Sequence, residues 1–230
     1  MKPEGLVAAA RALRYWEERQ DVVSNNLANA DTPGFKGERV FARVLQGAVV
    51  GAGSATDFRP GSLSVTGGPL DLALKGDGFF VVQTAGGERW TRGGSFQLDA
   101  GGRLTDASGN AVLGLDGPIV VPPGKVVIDK SGAVTVDGKD AGQLRLETAP
   151  KGSELQHDGG TLLLPDAART ALAQDARGVR QGAVEQSNVN AVDSLVDLIT
   201  VQRSYSAVQS TVKVFDGVMS TISNDLGRVG

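Results

Sequence analysis

A chain of 230 residues with 40% apolar and 21% charged side chains has the make-up of a folded globular protein, long enough for one core and an appendage. Its formal charge of −3, its scattered basic residues and its 5% aromatics exclude the clustered cations and stacking platforms that nucleic acid requires. The absence of cysteine removes disulfides, thiol catalysis and thiolate metal sites, and no apolar run approaches the roughly 18 residues needed to cross a membrane.

Glycine is the outlier, with 32 residues concentrated between Gly47 and Gly160 and few at either end. The chain therefore divides by composition into an N-terminal assembly helix with its exit (1–36), a linker or extended region (37–66), a central β-rich domain (67–180) and a C-terminal assembly helix (181–230). The start, Met1-Lys2-Pro3-Glu4, runs into an amphipathic stretch with Arg11, Arg14 and Arg19 and lacks an apolar leader core. Export, where it occurs, is expected without a cleaved leader.

The first segment reads as one helix from Pro3 to Asn29, about 40 Å long. Leu6, Ala9, Leu13, Trp16, Gln20, Val23, Leu27 and Ala30 alternate spacings of three and four, a heptad seam with one polar interruption. Arg11, Arg14, Glu17, Glu18 and Asp21 fall off the stripe, and those acids disfavour binding to anionic lipid. Asp31-Thr32-Pro33-Gly34 stops the helix, and Phe35 just beyond it reads as an apolar anchor.

The middle reads as antiparallel β-structure. Leu70, Leu72 and Leu74 alternate with Asp71, Ala73 and Lys75, and Phe79-Phe80-Val81-Val82 makes a short apolar run. Turn signals such as Gly86-Gly87, Gly101-Gly102 and Asp137-Gly138 recur at sandwich or barrel rhythm.

The last segment is a helix over Ala191–Leu226, about 54 Å long, with capping side chains in Ser187-Asn188-Val189-Asn190 and a weak point at Gly217. Val201, Tyr205, Val208, Val212, Phe215, Met219, Ile222 and Leu226 again alternate spacings of four and three. Val192, Leu195, Val196, Leu198 and Ile199 widen the apolar face upstream. The fold class is therefore α+β, with long terminal helices pairing as a coiled-coil-like element around a central antiparallel β domain. Packing of both helices on the β domain is the competing arrangement, but a helix lying on a sheet has no need of a 3.5-residue period. Helices of this kind gain little without partners, so both ends are expected to be largely disordered before assembly.

Catalysis finds little support. His157, the only histidine, lies in a glycine-rich stretch read as a loop, and no Gly-x-Ser-x-Gly elbow accompanies it. Glycoside hydrolysis needs only two carboxylates, and Asp71, Asp77, Asp99 and Asp106 are available, but Asp77 and Asp99 sit in glycine turns that explain them. Gly76-Asp77-Gly78 is flanked by strand-like residues with no helix after it, which excludes a nucleotide loop. A β-domain adhesin on a helical stalk would need one long helix per chain, not two at opposite ends. No metal, cofactor or small-molecule substrate is implied.

Three blocks carry a family likeness. Ser24-Asn25-Asn26-Leu27-Ala28-Asn29-Ala30-Asp31-Thr32-Pro33-Gly34-Phe35-Lys36 resembles the N-terminal signature of bacterial flagellar rod and hook proteins. The stretch Gly68–Phe80 with Trp90-Thr91-Arg92-Gly93-Gly94-Ser95-Phe96 is similar to that family's central β region, and Ser187–Asn190 with Gln202-Arg203-Ser204-Tyr205 to its C-terminal block. The resemblance implies a basal-body rod subunit. Its terminal helices would pack in an inner tube, its partners would be further copies, other rod subunits and the flagellar export apparatus, and its β domain would form an outer layer. The stretch Gly114–Gly124 with Gly142–Leu146 resembles the proximal more than the distal rod type. The assembly interface expected on these grounds comprises Leu6, Ala9, Leu13, Trp16, Val23, Asn25, Asn26, Leu27, Asn29 and Phe35 at one end. At the other it comprises Asn188, Asn190, Val201, Tyr205, Val208, Val212, Phe215, Met219 and Ile222. The amides of Asn25, Asn26 and Asn29 are expected to bond across subunits and fix register.

Overall fold

The computed structural model describes residues 4–45, 48–150, 152–153 and 155–226. The chain forms two compact units, one built of its terminal helices with a hairpin, the other of Asn29–Gly37 and Thr56–Val189.

In the helical unit, α1 covers Glu4–Ala28 and α2 covers Ala191–Leu226, and the two helices pack on each other. Among the described residues α1 ends one position before its predicted last residue, Asn29, and α2 begins at the predicted Ala191. Asn190 caps α2 through its side-chain oxygen, which accepts the N–H groups of Val192 at 2.9 Å and Asp193 at 3.3 Å, two donors the helix cannot pair internally. Val23 on α1 and Val201 on α2 are buried, so each expected stripe has a covered member. The stretch 37–66, read as a linker or extended region, carries strands β1 (Glu38–Leu45) and β2 (Ala48–Thr56), paired as a two-stranded sheet. Asn26 binds β1 to α1 in the manner of a strand neighbour, its Nδ2 donating to Glu38 O at 2.8 Å and its Oδ1 accepting from Glu38 N at 2.9 Å.

The β unit is antiparallel in every pairing among the described residues. Strands β3 (Leu63–Val65) and β4 (Leu72–Leu74) pair with Ala183–Glu185 and Val179–Gln181. Residues 181–185, assigned by composition to the C-terminal helical segment, are therefore strand, because alternation in Val179–Glu185 suits pairing and the helix has no cap before Asn190. Strand β5 (Phe79–Thr84) pairs with β6 (Gly87–Thr91), with Ala111–Gly114 and with Leu146–Thr148.

Strand β5 explains the core. Phe80 and Val82 join one cluster with Leu72, Leu104, Val112, Leu144 and Leu146, while Phe79 and Val81 join another with Trp90, Leu113 and Leu163. Successive side chains on a strand point to opposite faces, so an unbroken apolar run is what a strand covered on both sides requires. Phe79 stacks on Trp90 with ring centroids 5.0 Å apart and planes 3° from parallel. A three-stranded sheet of Val126–Ile128, Ala133–Val136 and Lys139–Gln143 adds Ile128, Val134 and Val136 to the first cluster. Its second hairpin turns on Asp137 (φ 50°) and Gly138 (φ 80°), the two positive-φ residues such a tight turn demands.

Candidate assembly site

The expected seam is covered to different depths along its length. Val23 and Val201 are buried, and Ala9, Leu13, Trp16, Leu27, Tyr205, Val208 and Val212 are half-buried. Phe215 is 38% exposed, and the side chains of Leu6, Met219 and Ile222 lie outside the described residues. Trp16 is edge-on to Tyr15 at 5.2 Å, with the Arg19 guanidinium 5.6 Å above its ring. A second stripe of α2 stands open: Val192 (70% exposed), Leu195 (49%), Val196 (58%) and Ile199 (44%). Their spacing of three, one and three places them on one helical face.

The asparagines divide. Asn25 is exposed, while Asn26 spends its amide on Glu38 as described. Asn29 Oδ1 accepts the Thr32 hydroxyl at 3.3 Å and its carbonyl accepts Thr32 N–H at 3.1 Å, which closes the turn after α1. Asn188 donates from Nδ2 to the carbonyls of Asp57 at 2.6 Å and Arg59 at 3.0 Å, and accepts Gly37 N–H at 2.8 Å. The amides of Asn26 and Asn188 are thus engaged within their own chain.

Within the β unit the residues that follow α1 meet those that precede α2. Gly34 N–H donates to Glu185 O at 2.7 Å. Gly34 has φ 75°, and a Cβ there would collide with the backbone of Arg92 and Gly93, so only glycine lets the two segments close. Phe35 is fully buried, its ring 5.5 Å from that of His157, which forms a β-bridge with Leu163 where a plain loop was expected.

Lys36 then reaches Glu185. The Lys36 ammonium, 2% exposed, donates to Glu185 Oε1 at 2.6 Å and to Arg59 O at 2.9 Å. Glu185 is itself buried and also accepts Gly61 N–H at 2.9 Å and Arg92 NH1 at 3.3 Å. One carboxylate therefore serves two cations in a water-poor setting. Burial lowers the Lys36 pKa despite the opposing pull of Glu185, and it lowers that of Arg92 against the pull of Glu185 and Asp77. Glu185 and Arg92 were not among the sequence-predicted residues. A trace was present: strand alternation gives Glu185 the face of Ala183, and a charge on an inward face demands a partner.

Three of the four carboxylates considered for catalysis have local hydrogen-bond partners that explain them. Asp99 accepts the N–H groups of Gly101 and Arg103, Asp106 those of Ser108 and Asn110, and Asp71 the Thr66 hydroxyl. No group of three or more metal-competent side chains occurs among the described residues, and no described helix is long and apolar enough to cross a membrane.

In one unit the two terminal helices pack on each other, and in the other a buried ionic clasp joins the segments that adjoin them in sequence. Comparison with protein families bears on each part. The model described as "Flagella basal body rod protein" matches residues 6–36, "Flagellar hook protein FlgE/F/G D1 domain" matches 73–136, and "Flagellar basal body rod FlgEFG protein C-terminal" matches 180–225. The chain belongs to the flagellar basal-body rod protein family. It is 34% identical to the flagellar basal-body rod protein FlgF of Caulobacter vibrioides over 91% of each chain. It is 35% identical to FlgF of Escherichia coli, covering 91% of this chain and 90% of that one. To FlgG of Bacillus subtilis it is 27% identical, over 95% and 97% of the two chains. The first and last family matches contain the two sides of the clasp, Gly34–Lys36 and Glu185–Asn188.

Proposed function

We propose that this chain is a structural, non-enzymatic subunit of the bacterial flagellar basal-body rod, of the proximal type, and that it polymerises through its terminal helices. Copies of itself and other rod subunits are its partners, and the polymer passes torque from motor to hook. It reaches the basal body through the flagellar export apparatus. The likeness of 30–35% to five FlgF proteins, against 27% and 32% to two FlgG proteins, supports the proximal type. In the assembly the two seams pair in coiled-coil fashion, Ala9, Leu13, Trp16, Val23 and Leu27 against Val201, Tyr205, Val208 and Val212. Phe215, Met219 and Ile222 continue the second seam and Leu6 begins the first.

The observation that carries this reading is the open stripe on α2. Four β-branched or leucine side chains on one face, three of them close to half exposed or more and the fourth 70%, are costly to leave in water and need a second chain to cover them. The test is negative-stain microscopy and sedimentation of the concentrated protein, wild type against a Val196→Asp, Ile199→Asp double variant. Wild type should form tubular or rod-like polymers, and the variant should remain monomeric with the thermal transition of its β unit unchanged. Discrete trimers, or polymers formed equally by the variant, would overturn the proposal.

A further inference from the structure

A cleft of about 540 Å³ lies within the β unit; no described seam residue of α1 or α2 lines it, and it shares Arg92 with the clasp. Its walls are mainly apolar, with Phe58, Phe79, Leu155 and Leu172 prominent, and Arg92 lines it from within. Arg92 is 7% exposed. Its guanidinium lies 5.2 Å over the Phe79 ring, which fixes its plane against the cleft wall.

The hydrogen bonding of that guanidinium is incomplete. NH2 donates to Gly76 O at 2.7 Å, and NH1 reaches Glu185 only at 3.3 Å, on a carboxylate already committed to Lys36. Nε, buried, has no hydrogen-bond partner among the described residues. A buried N–H without an acceptor costs about 1–3 kcal/mol, more on a charged group, so this one is held for something that arrives. Asp77 also lines the cleft, but it is exposed, and water screens its charge.

We propose that this cleft receives an acidic side chain of a second polypeptide, its carboxylate on Arg92 and its apolar neighbours against Phe58, Phe79 and Leu172. A guanidinium with an unpaired N–H prefers a carboxylate, which makes a charge-assisted bond, over an amide or a hydroxyl. The cleft is open on one side, whereas small-molecule sites enclose most of their ligand. An extended peptide, which keeps one edge in solvent, suits it better than a free acid. The proposal rests on the cleft alone and holds whether or not the chain polymerises through its helices.

Calorimetric titration of the full chain with N-acetyl-Leu-Glu-Leu-Phe-amide and with its Gln counterpart tests this. The Glu peptide should bind saturably and roughly tenfold more tightly, the worth of one charge-assisted hydrogen bond. Arg92→Gln should erase that preference. Since Arg92 also serves the buried clasp, a second variant guards against misfolding: Ala176→Trp, at an exposed rim position, should block both peptides while leaving the circular dichroism and thermal transition unchanged. Equal affinity for the two peptides, no saturable binding of the Glu peptide, or binding of octanoate where the peptide fails would each overturn the proposal.

Discussion

Replacing Glu185 by Gln removes the only negative charge that directly contacts Lys36 and Arg92 among the described residues. Glutamine keeps one acceptor oxygen, which in the Oε1 position still takes Lys36 and Gly61 N–H, but it then turns an amide N–H₂ towards Arg92. Breaking a buried ion pair from one side costs about 3–5 kcal/mol, because the remaining charge stays desolvated without compensation. The retained acceptor puts the expected loss near the lower end, about 3 kcal/mol. Urea unfolding in a Trp16→Phe background, followed by the emission of the fully buried Trp90, reads the β unit alone. The unfolding midpoint should fall with an unchanged slope. Lys36→Met should cost a similar amount, and Lys36→Met combined with Glu185→Gln should cost less than the sum by at least about 1.5 kcal/mol. A loss below about 1 kcal/mol for Glu185→Gln, or strict additivity of the pair, would refute the view that a desolvated charge pair holds the two segments together.

Two further changes probe the same unit. Gly34→Ala places a Cβ against the Arg92–Gly93 backbone at a φ of 75°, and should cost about 2–4 kcal/mol in the same urea titration. Glu88 is held below its ordinary value near 4.5 chiefly by the hydrogen bond from Arg145, with Arg169 adding to the effect. Its folded pKa is thus lower than its unfolded one, so its contribution of about 0.5–1 kcal/mol is present above pH ~4.5 and is lost as pH falls through the folded value. Glu88→Gln should accordingly flatten the acid limb of a stability profile measured from pH 6 to 3, and an unchanged limb would count against the assignment.

The sequence reveals the helices more readily than the clasp, for a physical reason. A period of three and four sustained over six or more turns is a local signal, and α1 ends one residue before its predicted stop while α2 begins where predicted. The run Phe79–Val82 announces a strand, though only the fold shows that Phe79 and Phe80 enter different clusters. Strands β1 and β2 escaped notice because the small residues of Ala48–Ala55 carry weak strand propensity, and their pairing depends on a partner strand and on Asn26. Lys36 and Glu185 lie 149 positions apart, so no window of sequence could join them. A lysine closing a signature and an acid in a short strand each look like surface residues until the topology brings them together.

The two units therefore fail in different ways. The β unit covers its own core: its apolar run is buried on both faces and its inward charges meet counter-charges, with Arg92 Nε the unpaired exception. The helical unit does not, because α2 covers Val201 yet leaves Val192, Val196, Val214 and Val218 at least half exposed. Helix propensity alone stabilises such segments weakly, and Gly217 subtracts from it in α2. The order of the terminal helices is thus tied to what covers them, while the clasp keeps their chain exits fixed in either case. Hydrogen exchange separates the two: in dilute monomer, amides in α1 and α2 should exchange far faster than those of β5, and protection of the helices should rise on polymerisation. Equal and strong protection of α1 and β5 in the monomer would mean that the helices are stable without a partner chain, and would remove the physical reason for assembly through them.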